Sequence, residues 1–259
     1  MPIFTCATTD GGTLVFDRQG AGSPLLLLHG FGQDRMLWHR YGWVERLAAH
    51  FTVITVDLRG AGASFMPTEP QAYGLDLYQS DIQRLLETCG YHAIQIFGWS
   101  FGGTLGLQLL ARMPAVRRAV IAGTFVGPIF TPERIEPQIT QFSELATAKQ
   151  QGRLAELNIT PSMQAFVERT NMPAYLARLR GCMSWPILSP SELKQPFLLY
   201  TSTGDGYVVD RVREQQAALT MAGGTVEIFA ELNHRELVTA RDKVEASVLA
   251  FLQQPTSDR

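Results

Sequence analysis

An α/β fold, with a mostly parallel central sheet of about eight strands flanked by helices, is the architecture this sequence predicts. Two observations carry it. Short continuous apolar runs such as Leu25-Leu26-Leu27-Leu28 recur along the chain, the pattern of strands covered on both faces. Between them lie segments with apolar residues at helical spacing, and strands alternating with helices require right-handed crossovers and a parallel sheet. A third observation adds a second region: from Pro128 to Pro190 the alternation stops and no strand pattern appears.

Taken in order, Phe4 to Thr8 and Thr13 to Asp17 flank "TDGG", where Asp10-Gly11-Gly12 supplies the positive-φ residues of a hairpin turn. After "GAGSP" the leucine run ends at His29-Gly30. "FTVITVD", "AIQIFGW", "RAVIAG", "PFLLYTS" and "TVEIFA" repeat its signature. Leu75, Tyr78, Ile82, Leu85, Leu86 and Cys89 share one helical face, with Asp76, Asp81, Arg84 and Glu87 placed around the rest of the turn. In the strandless interval, "SELATAKQQGRLAELN" and "MQAFVERTNMPAYLARLRG" read as helices punctuated by Pro132, Pro137, Pro161, Pro173 and Pro186. The expected organisation is therefore a core of residues 1–127 and 191–259 with a helical cap at 128–190. The tail "QQPTSDR" reads as frayed.

Composition narrows the function classes. The chain has 259 residues, 46% hydrophobic and 18% charged, enough for one large domain with a substantial core. A formal charge of −2 provides no basic stripe for a phosphate backbone, so nucleic acid is not an expected partner. The first residues show neither a basic segment nor a long apolar one, and nothing approaches the roughly 18 apolar residues of a membrane span. A soluble, cytoplasmic protein acting on a small, mainly apolar molecule is expected, its oligomeric state open. Three cysteines without CxxC spacing point to no disulfide framework or zinc site and read as buried apolar residues.

In such a sheet ligands gather at the carboxyl ends of the strands, where His29, Asp57, Ser100 and Asp205 fall. Gly98-Trp99-Ser100-Phe101-Gly102 is G-x-S-x-G between a strand and a helix pattern. A serine on that turn adopts strained backbone angles, and the flanking glycines remove Cβ atoms that would collide. The turn also places the Phe101 N–H at a helix N-terminus, where developing negative charge is favoured. A serine nucleophile needs a base and an orienting acid, which in this type of sheet follow in the order Ser, Asp, His. Of five histidines, His39, His50 and His92 lie between strands and read as solvated or packing residues, while His29 precedes the serine. His234, after the last strand, has the right order and place. Asp205 in "TSTGDGYVVD" is the matching acid, Asp210 is the alternative, and Asp57 is out of order.

"LLLLHGFGQDRMLW" (25–38), "VDLRGAGAS" (56–64), "GWSFGG" (98–103) and the late pair "GDGYVV" with "NHREL" together resemble the α/β-hydrolase fold superfamily, a serine-nucleophile, esterase-like member with a helical cap. The resemblance implies that the backbone N–H of Phe31 completes an oxyanion hole with that of Phe101. It also implies structural roles for His29 and for the segment from Asp57 to Gly60. Ala61 stands where "RGHG" has histidine, Val209 where proline is common, and Asn233 where glycine usually precedes the histidine. The implied activity is hydrolysis of small uncharged carboxylic esters through an acyl-enzyme, with no metal or cofactor required. Members with an aspartate nucleophile, the dehalogenase and epoxide hydrolase types, are disfavoured by serine at position 100. C–C bond hydrolysis next to a carbonyl, cofactor-free perhydrolase or haloperoxidase-like chemistry, and a ligand receptor on the same fold are the alternatives. Apolar residues of the interval, Phe142, Leu145, Met163, Phe166, Met172, Tyr175, Leu179, Met183 and Trp185, are expected mostly to pack and in part to line the cavity. A substrate carboxylate met by Arg178 or Arg180 is the alternative to an apolar pocket, but on a helix of mixed charge both arginines are expected to be solvated.

Overall fold

The computed structural model describes residues 2–255. A hairpin of β1 (Ile3–Ala7) and β2 (Thr13–Gln19) leads into β3 (Pro24–Leu28), α1 (Met36–Arg40), α2 (Trp43–Ala48) and β4 (Thr52–Asp57). Then follow α3 (Leu75–Cys89), β5 (Ile94–Trp99), α4 (Phe101–Arg112) and β6 (Val116–Ala122). Three helices intervene, α5 (Pro132–Gln150), α6 (Pro161–Arg169) and α7 (Met172–Cys182), before β7 (Phe197–Gly204), α8 (Gly206–Met221), β8 (Gly224–Asn233), α9 (Glu236–Thr239) and α10 (Arg241–Leu252). The eight strands form one sheet in the order β1-β2-β4-β3-β5-β6-β7-β8. The two pairings of β2 are antiparallel and the other five are parallel. This is the α/β architecture with a mostly parallel sheet that the apolar runs predict.

The continuous runs are explained by the two cores they feed. Along β3, Leu26 and Leu28 point into one apolar cluster with Tyr78, Ile82 and Leu85 of α3 and Leu105 and Leu109 of α4. Leu25 and Leu27 point into the other, with Trp38, Trp43 and Leu47 of α1 and α2 and Val244 and Val248 of α10. Successive side chains alternate faces, so a strand covered on both sides must be apolar at every position. A third cluster, with Phe142, Leu145, Met172, Tyr175 and Leu179, joins α5, α6 and α7 to one another. Most of the apolar residues between β6 and β7 thus serve packing.

Several local expectations are corrected. The segment "SELATAKQQGRLAELN" is α-helical only to Gln150, because Gly152 turns left-handed at φ 68° and breaks the run, and a single 3₁₀ turn follows at Leu154–Glu156. "MQAFVERTNMPAYLARLRG" is two helices, since the Asn171 side chain accepts the Ala174 N–H and starts α7 afresh with Pro173 in its first turn. The Lys149 ammonium donates to the carbonyls of Val167, Glu168 and Thr170, which end α6. Cys89 is half-buried, unlike Cys6 and Cys182. Of the tail expected to be frayed, residues 256–259 lie outside the described residues.

Asp81 departs furthest from its predicted place on the polar side of α3: it is buried. Its two carboxylate oxygens accept the Nε and Nη2 of Arg59 at 2.9 and 2.8 Å. Arg59 is itself fully buried and also holds Asp10 of the β1–β2 turn and the Ala72 carbonyl. One guanidinium therefore ties the hairpin, α3 and the loop after β4. We expect Arg59→Met to lower the free energy of unfolding by about 3–5 kcal/mol, because it strands a buried carboxylate. Asp10→Asn should cost less, its side chain being 29% exposed. Urea titrations of the two variants check the order.

Candidate active site

The turn from β5 to α4 is built around Ser100, whose φ of 55° and ψ of −116° lie outside the regions a side-chain-bearing residue prefers. Its neighbours leave no room for another path. A Cβ on Gly98 would lie 2.2 Å from the Gly102 carbonyl oxygen, and one on Gly102 would lie 2.0 Å from that of Leu28. The Ser100 N–H donates to Ala122 of β6 at 2.8 Å, and its carbonyl accepts the Thr104 N–H at 2.9 Å. Sheet and helix thus anchor the turn from both sides, and the strain is held by the surrounding structure.

Two other carboxyl-end loops converge on the hydroxyl. His234, beyond β8, places Nε2 3.0 Å from Ser100 Oγ. Its Nδ1 lies 2.8 Å from Asp205 Oδ1, and the other Asp205 oxygen accepts the Thr201 hydroxyl at 3.0 Å. Asp205 is buried, whereas the His234 side chain is 42% exposed, so the imidazole reaches solvent on one edge while the carboxylate does not. A base with one ring nitrogen on a hydroxyl and the other on a buried carboxylate can take and return a proton at Nε2. Asp210, the alternative acid, is exposed on α8 and lies beside Arg213 at 3.5 Å. Asp57 is bound by the N–H groups of Arg35 and Ala63.

The backbone N–H groups of Phe31 and Phe101 have no hydrogen-bond acceptor among the described residues. The loop carrying Phe31 passes close to the serine, since a Cβ on Gly30 would lie 3.4 Å from Ser100 Cβ. The two phenyl rings meet edge to face with centroids 5.2 Å apart. His29 sits beneath this loop, fully buried, with Nε2 3.1 Å from the Leu58 N–H and Nδ1 2.9 Å from the Gly30 carbonyl. One nitrogen therefore accepts and the other donates, which requires the neutral ring. His39 pairs with Asp17 at 3.1 Å, and His50 and His92 are exposed.

A model of the α/β hydrolase fold matches residues 23–173, more than half of the chain. The chain belongs to the α/β-hydrolase fold family. Its curated relatives include the uncharacterized hydrolase YraK of Bacillus subtilis, 32% identical over 104 residues that make up 40% of this chain and 38% of that protein. Epoxide hydrolase 4 of Mus musculus is 33% identical over 115 residues, 42% of this chain and 31% of the relative. The matched region thus spans only about a third of the length of these relatives. Among solved structures, an esterase from Thermogutta terrifontis superposes with a TM-score of 0.78 at 20% identity, covering 99% of this chain and all of the other. At that identity the likeness establishes the fold alone.

Sequence reading passed over several residues that shape this α/β hydrolase's site. Thr201 fixes the second oxygen of Asp205, and Trp99 Nε1 donates to the His234 carbonyl at 3.1 Å. Gly123, at φ 63°, keeps clear the space beside the imidazole, where a Cβ would come within 3.1 Å of His234 Cε1. Asn233 in place of glycine has a purpose too: its Oδ1 accepts the N–H groups of Arg235 and Glu236, while the Glu236 carboxylate accepts the Asn233 N–H. That reciprocal pair is written in the sequence as N-x-x-E, a capping-box spacing.

Burial, with the Arg178 charge adding to it, holds the His29 pKa down to about 4. The unfolded chain binds this proton near pH 6.5. Stability from the neutral ring is therefore complete above about pH 6.5 and declines as the pH falls towards 4. We expect the advantage of wild type over His29→Gln, measured by urea unfolding, to shrink by up to about 1.4 kcal/mol per pH unit across this window. Above pH 7 it should be flat.

Proposed function

We propose that the chain is a serine hydrolase that cleaves carboxylic esters through a Ser100–His234–Asp205 triad and an acyl-enzyme. The observation that carries this reading is the unbroken relay from Ser100 Oγ through both nitrogens of His234 to a buried carboxylate, at 3.0 and 2.8 Å. Ser100 Oγ attacks the ester carbonyl carbon while His234 Nε2 takes its proton. Asp205 holds Nδ1–H and offsets the imidazolium charge. The free N–H groups of Phe31 and Phe101 receive the oxyanion, and His234 then protonates the departing alcohol. In the second half His234 deprotonates a water, which attacks the acyl carbonyl, and the proton returns to Ser100 as the acid leaves.

Helices α5 to α7 form the cap in this reading. They emerge from the carboxyl end of β6 and return to β7, on the edge of the sheet where Ser100 lies. Tyr175 of α7 packs on Phe31, ring centroids 4.9 Å apart, which ties the cap to the oxyanion loop. The epoxide hydrolase name of one relative is not carried over, because that chemistry belongs to members with an aspartate where this chain has Ser100.

The test is turnover of an alkyl ester panel by purified variants. Ser100→Ala and His234→Ala should each lose several powers of ten in kcat, and Asp205→Asn about 10⁴-fold. Asp210→Asn should stay close to wild type, since its surface pair contributes little. Activity retained in Ser100→Ala, or lost in Asp210→Asn with Asp205→Asn intact, would overturn the assignment.

A further inference from the structure

Arg178, expected to be solvated, is instead one of the most deeply buried side chains of the protein, with 1% of its surface exposed, while Arg180 two residues on is exposed. It projects from α7 onto the two aromatic residues that bear the free N–H groups. The guanidinium carbon lies 3.8 Å from the Phe31 ring centroid and 5.4 Å from that of Phe101. Stacking satisfies the face of a guanidinium and leaves its five N–H donors, which lie in the plane, still in need of acceptors. Its Nε and Nη1 have none. No carboxylate lies within ion-pair distance of Arg178 among the described residues. A buried charge without an anion is costly: Arg59 is met by two carboxylates and Arg118 by the carbonyls of Phe251, Leu252, Gln254 and Pro255, whereas no hydrogen bond of the Arg178 guanidinium is formed among the described residues.

Arg178 lines a cavity of about 390 Å³ between α7 and the loops after β3 and β4. Gln33, Arg169, Thr170 and Asn171 share its wall with two acids, Asp34 and Asp57. Asp57 takes the N–H groups of Arg35 and Ala63 and the Arg35 guanidinium, while Asp34 accepts one backbone N–H, that of Met36, and keeps its charge on a wall that also carries Arg35 and Arg169. Gly32 also lines the cavity, and it is two residues from Gly30, which abuts Ser100. Two residues of chain span at most about 7 Å. The wall of the cavity therefore begins within about 7 Å of Gly30, one residue beyond Phe31 in the loop that passes Ser100.

We propose that this cavity receives an anionic end of the substrate, a carboxylate paired with Arg178, several bonds from the ester carbonyl. The inference rests on the ester-hydrolase reading and replaces its uncharged substrate, an expectation that assumed a solvated Arg178. A carboxylate in the plane of the guanidinium would accept one of the orphaned donors together with Nη2, side-on at Nε or end-on at Nη1, the fork geometry for which arginine is suited.

The experiment compares ethyl esters of monocarboxylic acids with monoethyl esters of succinic, glutaric and adipic acids, followed by acid release. Wild type should favour at least one diacid monoester over its chain-matched neutral ester. In Arg178→Met and Arg178→Gln that ratio of kcat/KM should fall about ten- to a hundredfold, with partial retention in Arg178→Lys. As a readout that needs no chemistry, free glutarate or adipate should raise the Tm of Ser100→Ala and leave that of Arg178→Met unmoved. Equal losses on neutral and anionic esters would instead make Arg178 a prop for Phe31 and overturn the proposal. So would neutral turnover with no anionic preference and no Tm shift, with the ester reading intact. Absence of all ester turnover alongside a diacid-induced Tm shift that needs Arg178 would sink the ester reading and support the anion site.

Discussion

A serine held at φ 55° is the constraint on which the arrangement of this site depends. An isolated chain would relax it, at a gain of order 1–3 kcal/mol. Here β5 and β6 pin the turn on one side and α4 on the other, and glycines at 98 and 102 allow the backbones of Leu28, Gly98 and Gly102 to close to distances that any Cβ would forbid. The same geometry lifts Oγ above the sheet and leaves the Phe101 N–H unpaired at the start of a helix. His234 and Asp205 then need only be delivered to fixed points by β8 and β7. Parallel strands do this without further design, because their carboxyl ends share one edge.

The buried arginines are satisfied to different degrees, and Arg118, stacked on Phe251, donates to the carbonyls of Phe251 and Gln254 with its Nε left over. Arg59 is saturated, with Asp81, Asp10 and a carbonyl around it, and it joins segments distant in sequence. Arg178 is stacked on aromatic rings and short of acceptors beside a cavity. Arg59 sits in a completed network, whereas Nε and Nη1 of Arg178 have no acceptor among the described residues. His29 is a neutral ring under the loop that carries Phe31, its charge suppressed by dry surroundings.

Much of this was legible in the sequence because it depends on local rules. Continuous apolar runs marked the strands, since a residue between two helical layers has no polar side to show. Ser100, Asp205 and His234 could be placed at strand ends by chain order, and His234 lies within hydrogen-bond distance of both the others. What periodicity could not tell was which polar residue would be buried by a partner far away in sequence. Asp81 sits at an outward helical position and is buried by Arg59, 22 residues earlier. Arg178 lies on a helix of mixed charge and is covered by Phe31 of the loop after β3 and Phe101 at the start of α4. Gly123, Thr201 and Trp99 carry no motif of their own, and their roles follow only from where His234 and Asp205 come to rest.

The central claim, that Ser100 is a nucleophile activated by its surroundings, is tested most directly by exposing the native protein to a fluorophosphonate and locating the adduct by peptide mass mapping. The account predicts one phosphonyl group per chain, on Ser100 Oγ, formed far more slowly when His234 is replaced by alanine. An adduct on another residue, or labelling of Ser100→Ala at the wild-type rate, would contradict it.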